Sequence, residues 1–230
     1  MPEDPIFDTH LNPSARTTAV TNQKWGGLAS FLLAVTFIVP QFIYLVGNLR
    51  SAYGPFAYSL ADLLAGPVWA ASLVMMVFTL REQIGEHAPR RLSLAFLAAA
   101  FAAGAMVAVA CIRAANRHYH LIHPELHLEN SIEVLAVWTT LVGGISAVGW
   151  HFLGWTWLLI GWESLTPYHL PRLLTALYWM GGAVSLFVFV WPDLEGPAGA
   201  LSIIISIWQG ILLWRAEPDK PRISMESLAL

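Results

Sequence analysis

Six stretches of this chain carry no Asp, Glu, Lys or Arg between their ends: Trp25 to Gly47, Leu63 to Leu80, Leu92 to Ile112, Val134 to Ile160, Leu173 to Trp191 and Ala198 to Trp214. About 20 apolar residues in a helix cross a hydrocarbon core of about 30 Å. Within that core every backbone polar group must find its partner inside the protein. The runs are apolar on every face instead of alternating with period two, which excludes barrel strands and leaves helices. The expected fold is all-α: a polytopic membrane protein built as a six-transmembrane-helix bundle.

Composition agrees. The chain is 57% hydrophobic and 12% charged, with a mean hydropathy of +0.58, against about 45–50% apolar and about 25% charged for soluble domains. A single cysteine, Cys111, excludes an internal disulfide framework, and a net charge of -3 gives no argument for a nucleic-acid partner. The partners implied are membrane lipid and either further copies of the chain or a larger membrane complex.

Lys and Arg are concentrated in loops that stay in the cytoplasm. On one side of the predicted spans stand Arg16, Lys24, Arg81, Arg90, Arg91, Arg172, Arg215, Lys220 and Arg222; on the other stand Arg50, Arg113 and Arg117. This asymmetry predicts a bacterial inner-membrane protein with both termini cytoplasmic. Residues 1–24 form a cytoplasmic N-terminal segment, 25–215 the six-helix transmembrane domain and 216–230 a cytoplasmic tail. Trp25, Trp162, Trp191 and Trp214 fall at span ends, where their rings suit the headgroup level. The first run follows a polar segment containing Pro2, Pro5 and Pro13 and lacks a basic start with a small-residue cleavage site, so it reads as a retained span.

Small residues mark where helices approach closely in lipid. Ala100, Gly104 and Ala108 recur every four residues in the third span, which predicts that this helix is central. Pro40 and the Gly66-Pro67 pair free backbone carbonyls and predict kinks in the first two spans.

Charges near the outer span ends supply the candidate site. Asp62 opens the second span, Arg113 closes the third, and Glu129 and Glu133 precede the fourth. Charge in a membrane is costly unless paired or wet, so a bridge from Arg113 to Asp62 or Glu133 is expected. Along the fourth span Glu133, Thr140, Gly144 and His151 fall within about 20° of one line at 100° per residue, a polar seam. Two readings of it stand: an interior proton or cation path, or hydrogen bonds between helices. The loop before it carries His118, His120, His123 and His127 beside Glu125 and Glu129. These are ligand types for a metal or haem, without a zinc-helix motif and with Pro124 inside the spacing. A solvated loop is the competing reading. Cys111 lies in an apolar stretch and reads as a packing residue.

The Leu170-Pro171-Arg172-Leu173-Leu174 entry to the fifth span, Gly181-Gly182 within it, and the Ile207-Trp208-Gln209-Gly210-Ile211-Leu212-Leu213-Trp214-Arg215 close resemble an uncharacterised bacterial family of small six-span membrane proteins, classed as a domain of unknown function. The likeness covers about the C-terminal third. It implies a six-helix bundle and brings no reaction, cofactor or catalytic residue with it.

Two functional classes follow. One is a small transport, sensing or complex-assembly module with an interior polar seam. The other is a membrane enzyme or cofactor carrier that uses the outer histidines. The lack of a nucleotide-binding, phosphate-binding or nucleophile motif favours the first.

Overall fold

The computed structural model describes residues 13–50, 54–84, 89–122, 132–164 and 170–215, and among them all regular structure is helical. There are six rods: α1 (Pro13–Arg50), α2 (55–84), α3 (Pro89–Ile122), α4 (Ile132–Glu163), α5 (Arg172–Phe187) and α6 (Glu195–Arg215). α2 is one continuous rod in which Pro55–Leu63 and Trp69–Ile84 are joined by a π-helical turn, Leu64–Val68. Pro67 sits inside that turn. Proline has no N–H and collides with the carbonyl four residues back, and a wider turn absorbs both effects.

Each rod packs against its neighbours in the chain, and α6 returns to α1, so the six close into a ring. Consecutive rods run antiparallel, which puts the start of α1 and the end of α6 at the same end of the bundle. We call that end proximal and the opposite end distal. The seam between α1 and α6 depends on glycine, because a Cβ on Gly27 would lie 3.3 Å from the Trp214 nitrogen and 3.4 Å from the Gly210 oxygen. At the α4–α5 contact the approach is closer still. A Cβ on Gly154 would meet the Gly182 oxygen at 2.9 Å, and one on Gly182 would meet the Gly154 oxygen at 3.0 Å.

The proximal half of the ring is filled. Leu33, Leu73, Met76, Leu80, Leu92, Leu153, Ile160, Leu174 and Ile205 are all buried there or toward the middle. Polar groups inside are satisfied in pairs: Trp157 Nε1 donates to Ser202 Oγ at 3.2 Å, and Tyr178 and Gln209 share a hydrogen bond of 3.1 Å. Gln23 Nε2 donates to the Leu213 carbonyl at 2.9 Å, tying α1 to the last turn of α6.

Five rods are long and apolar enough to cross a membrane, over Thr21–Val46, Phe56–Gln83, Arg90–Tyr119, Ala136–Glu163 and Pro192–Arg215. This is a membrane-type helix bundle. The sixth rod, α5, has 16 residues, about 24 Å at 1.5 Å per residue, less than a hydrocarbon core. The sequence run continues to Trp191, but the helix stops at Phe187. The Val190 and Trp191 N–H groups both bond back to the Phe187 carbonyl, at 3.0 and 2.8 Å, and a 3-10 turn at Pro192–Leu194 leads into α6. Pro192 cannot continue the helix and disfavours helical geometry in the residue before it.

The packing stripe of α3 also differs from expectation. Ala100 and Gly104 are exposed, and a Cβ on Gly104 would meet nothing within 4 Å. The buried alanines are Ala95, Ala98, Ala99, Ala102, Ala103 and Ala110. In an Ala-rich helix several stripes have the same four-residue spacing, and a shift of one residue rotates the chosen face by about 100°. In a ring of six no helix is central, so α3 is a wall like the others.

Candidate functional site

The distal end concentrates charge where α1, α2 and α3 meet. Asp62, in the last turn before the π-helical turn of α2, is 2% exposed. Its Oδ1 accepts a hydrogen bond from the Tyr44 hydroxyl on α1, and its Oδ2 pairs with Arg117 Nη2 on α3. The carboxylate thus ties three helices together. Arg117 lies over the Tyr58 ring at 6.0 Å, Arg113 lies over the Tyr44 ring at 5.7 Å, and the two phenol rings are tilted against each other at 5.8 Å. Arg113 and Arg117 share a face of α3 because residues four apart are helical neighbours.

The bridge therefore comes from Arg117 and not from Arg113, the residue expected to make it. The backbone of Glu133 stands at a different level from Arg113. On the antiparallel α3–α4 pair Arg91 meets Glu163, the Phe101 and Phe152 rings stack at 5.0 Å, and Met106 lies against Gly149. Extending that register at 1.5 Å per residue puts Arg113 opposite about residue 141 and Glu133 opposite about residue 121, about 12 Å farther along. The Glu133 side chain lies outside the described residues, as does the whole of Glu129.

The seam on α4 turns outward. Thr140 and Gly144 are exposed, the Thr140 hydroxyl bonds to its own helix at the Ala136 carbonyl (2.8 Å), and a Cβ on Gly144 would meet nothing within 4 Å. The buried side of α4 is Val142, Gly149, Trp150, Leu153, Trp157 and Ile160. Only 22% of the apolar stretch of α4 is buried, against 39–50% for the other four long rods, so α4 is the least buried of the long rods. His151 is half-buried among Phe152, Trp155 and Phe189, and Trp155 Nε1 donates to its Nε2 at 3.2 Å.

Of the four histidines, His118 is exposed at the distal end of α3. The His120 side chain and residues His123 and His127 lie outside the described residues. Among the described residues no three His, Cys, Asp or Glu side chains gather in a way that could hold a metal. Cys111 is exposed on α3.

A second charged pair lies at the proximal end and was not foreseen. Glu163, the last residue of α4, is 2% exposed and stands 3.6 Å from Arg91, whose guanidinium lies 5.2 Å from the Trp162 ring centre. The signal was available, since an acidic residue at a helix C-terminus opposes the helix dipole and calls for a cation. Arg117 and Tyr44 were missed for another reason. Nothing in the sequence says which of two arginines four residues apart meets a carboxylate on a different helix.

Comparison of the chain with protein-family profiles, with curated proteins and with solved structures finds no match.

Proposed function

We propose that this chain is a six-span protein of the bacterial inner membrane, with both ends cytoplasmic, that works as a small complex-assembly module through the outward face of α4. The observation that carries the reading is that face itself: Thr140, Gly143 and Gly144 are exposed on the least buried of the long rods. Hydroxyls and glycines on the outer side of a membrane helix allow close approach and hydrogen bonding to another helix, and lipid makes use of neither.

Six spans are supported by lengths measured from the basic end. About 30 Å of helix, at 1.5 Å per residue, separates Trp214 from Leu194 and Glu82 from Asp62, and the 16 residues of α5 supply about 24 Å from Arg172. α5 then reaches the opposite boundary only with the help of its terminal turn, and Trp191, 64% exposed, stands at headgroup depth. The nine-to-three excess of Lys and Arg assigns the proximal end to the cytoplasm.

A conducting path is the weaker form of the module reading, because the seam that would line it faces away from the bundle and the proximal interior is filled by apolar side chains. The test is single-cysteine crosslinking in native membranes, in a Cys111→Ala background. Thr140→Cys and Gly144→Cys are expected to give an adduct, at twice the chain mass for a homo-oligomer and at another mass for a larger complex. Leu94→Cys, exposed on α3, should give none. Absence of an adduct at both α4 positions overturns the assembly reading. Proton or cation flux in proteoliposomes that is lost on Glu133→Gln would replace it with transport.

A further inference from the structure

The distal cluster holds more positive charge than it uses. Among the described residues the cluster pairs its arginines with a single carboxylate, Asp62, whose oxygens are taken by Arg117 and Tyr44. Arg113 is half-buried, rests on the Tyr44 ring, and has no carboxylate or other hydrogen-bond acceptor among the described residues. Arg117 Nε is buried and likewise without an acceptor. The Tyr58 hydroxyl, on the ring under Arg117, makes no hydrogen bond to another described residue. A guanidinium is always charged and offers five N–H donors, so an unpaired one at the edge of hydrocarbon calls for an anion.

We propose that Arg113, together with Arg117 Nε, forms a binding site for a phosphate group at the outer face of the bundle. The depth fits. Arg113 lies 22 residues along α3 from Arg91, about 33 Å at 1.5 Å per residue, one hydrocarbon thickness of about 30 Å from the cytoplasmic headgroups and so level with the outer ones. Two guanidiniums four residues apart on one helix face, backed by two phenol rings, present planar donor forks of the kind that bind phosphate in bidentate fashion. Asp62 holds Arg117 in place and, among the described residues, leaves the pair of arginines with one uncompensated positive charge. Glu133 on the adjoining helix stands, by backbone register, about 12 Å farther along the α3–α4 pair than Arg113, and it is the intramolecular rival. The inference uses the membrane placement above and is independent of what α4 binds.

The test is direct binding to delipidated protein in an uncharged detergent. Short-chain phosphatidylglycerol, phosphatidylcholine and inorganic phosphate are titrated separately and read by native mass spectrometry and by thermal shift. The unmodified protein should bind phosphatidylglycerol, and Arg113→Gln should weaken that binding at least tenfold. Arg113→Lys should keep part of it, and Arg215→Gln at the cytoplasmic end should keep all of it. Inorganic phosphate that competes with the lipid means that the site reads the phosphate alone; phosphate that does not compete assigns it to the lipid headgroup. Equal binding by the unmodified protein and Arg113→Gln overturns the proposal, as does binding that appears only after Glu133→Gln, which would mean that Arg113 is neutralised by its own chain. Arg113→Lys guards against a folding defect: if Arg113→Gln misfolds, undiminished binding by both Arg113→Lys and Tyr44→Phe overturns the proposal as well. Crosslinking at Thr140 and Gly144 measures the assembly reading separately, so either can fail alone.

Discussion

Asp62 shows how a single side chain sets local energetics in a membrane protein. Its carboxylate is enclosed by an arginine and a phenol from two other helices. Removing one member of such a pair leaves a buried charge without compensation, which costs about 3–5 kcal/mol, whereas removing both takes away the demand. Arg117→Leu should therefore destabilise the detergent-solubilised protein by more than Asp62→Leu combined with Arg117→Leu. The expected coupling is about 1–3 kcal/mol from a double-mutant cycle in a denaturant titration. Additive effects would mean that each group is separately hydrated. Arg113→Leu in the same cycle with Asp62 should show little coupling, because Arg113 contacts the Tyr44 ring and not the carboxylate. His151 makes a contrasting case. Its Nε2 is occupied by Trp155, so His151→Asn in proteoliposomes should leave proton leak unchanged. A leak that falls on this substitution would restore a proton-carrying role for the seam.

Among the elements, glycine positions separate packed faces from open ones. Gly154 and Gly182 face each other across α4 and α5 at distances where an added Cβ would press on backbone oxygen, and backbone cannot swing aside as a side chain can. Gly182→Ala should cost about 1–3 kcal/mol, the range for overpacking, measured by the loss of thermal stability in detergent. Gly104 sits in open space on α3. There alanine adds only helix propensity, so Gly104→Ala should be neutral or stabilising by up to about 1 kcal/mol. If both changes destabilise equally, the α3 stripe is covered by a partner after all. The π-helical turn at Pro67 belongs to this scale too. It follows directly after the turn that carries Asp62 and widens α2 where Gly66 packs on Ala110.

For the whole molecule, topology is the property most open to test. In a Cys111→Ala background, Ser93→Cys should react with an impermeant thiol reagent from the cytoplasmic side and Ser131→Cys from the outer side. Labelling of both from one side would sink the six-span arrangement. The membrane class of the fold was legible in the sequence, because uncharged runs of bilayer length have no stable alternative to a helix once water is removed. The existence of the rods was legible for the same reason, apart from the early end of α5, where Pro192 and the β-branched residues before it replace the last helical turns with a tighter one. That charge would gather near Asp62 was also legible, since an intramembrane carboxylate demands compensation. What stayed out of reach depends on rotation and register. Whether Ala100 or Ala99 faces inward, whether Arg113 or Arg117 meets Asp62, and whether Thr140 and Gly144 line an interior or look outward are each decided by about one residue of shift or one turn of helix. A chain that is apolar on every face contains no periodic signal to choose among these. Packing of the six rods against one another makes the choice, because only the assembled ring determines which side of each helix loses contact with lipid.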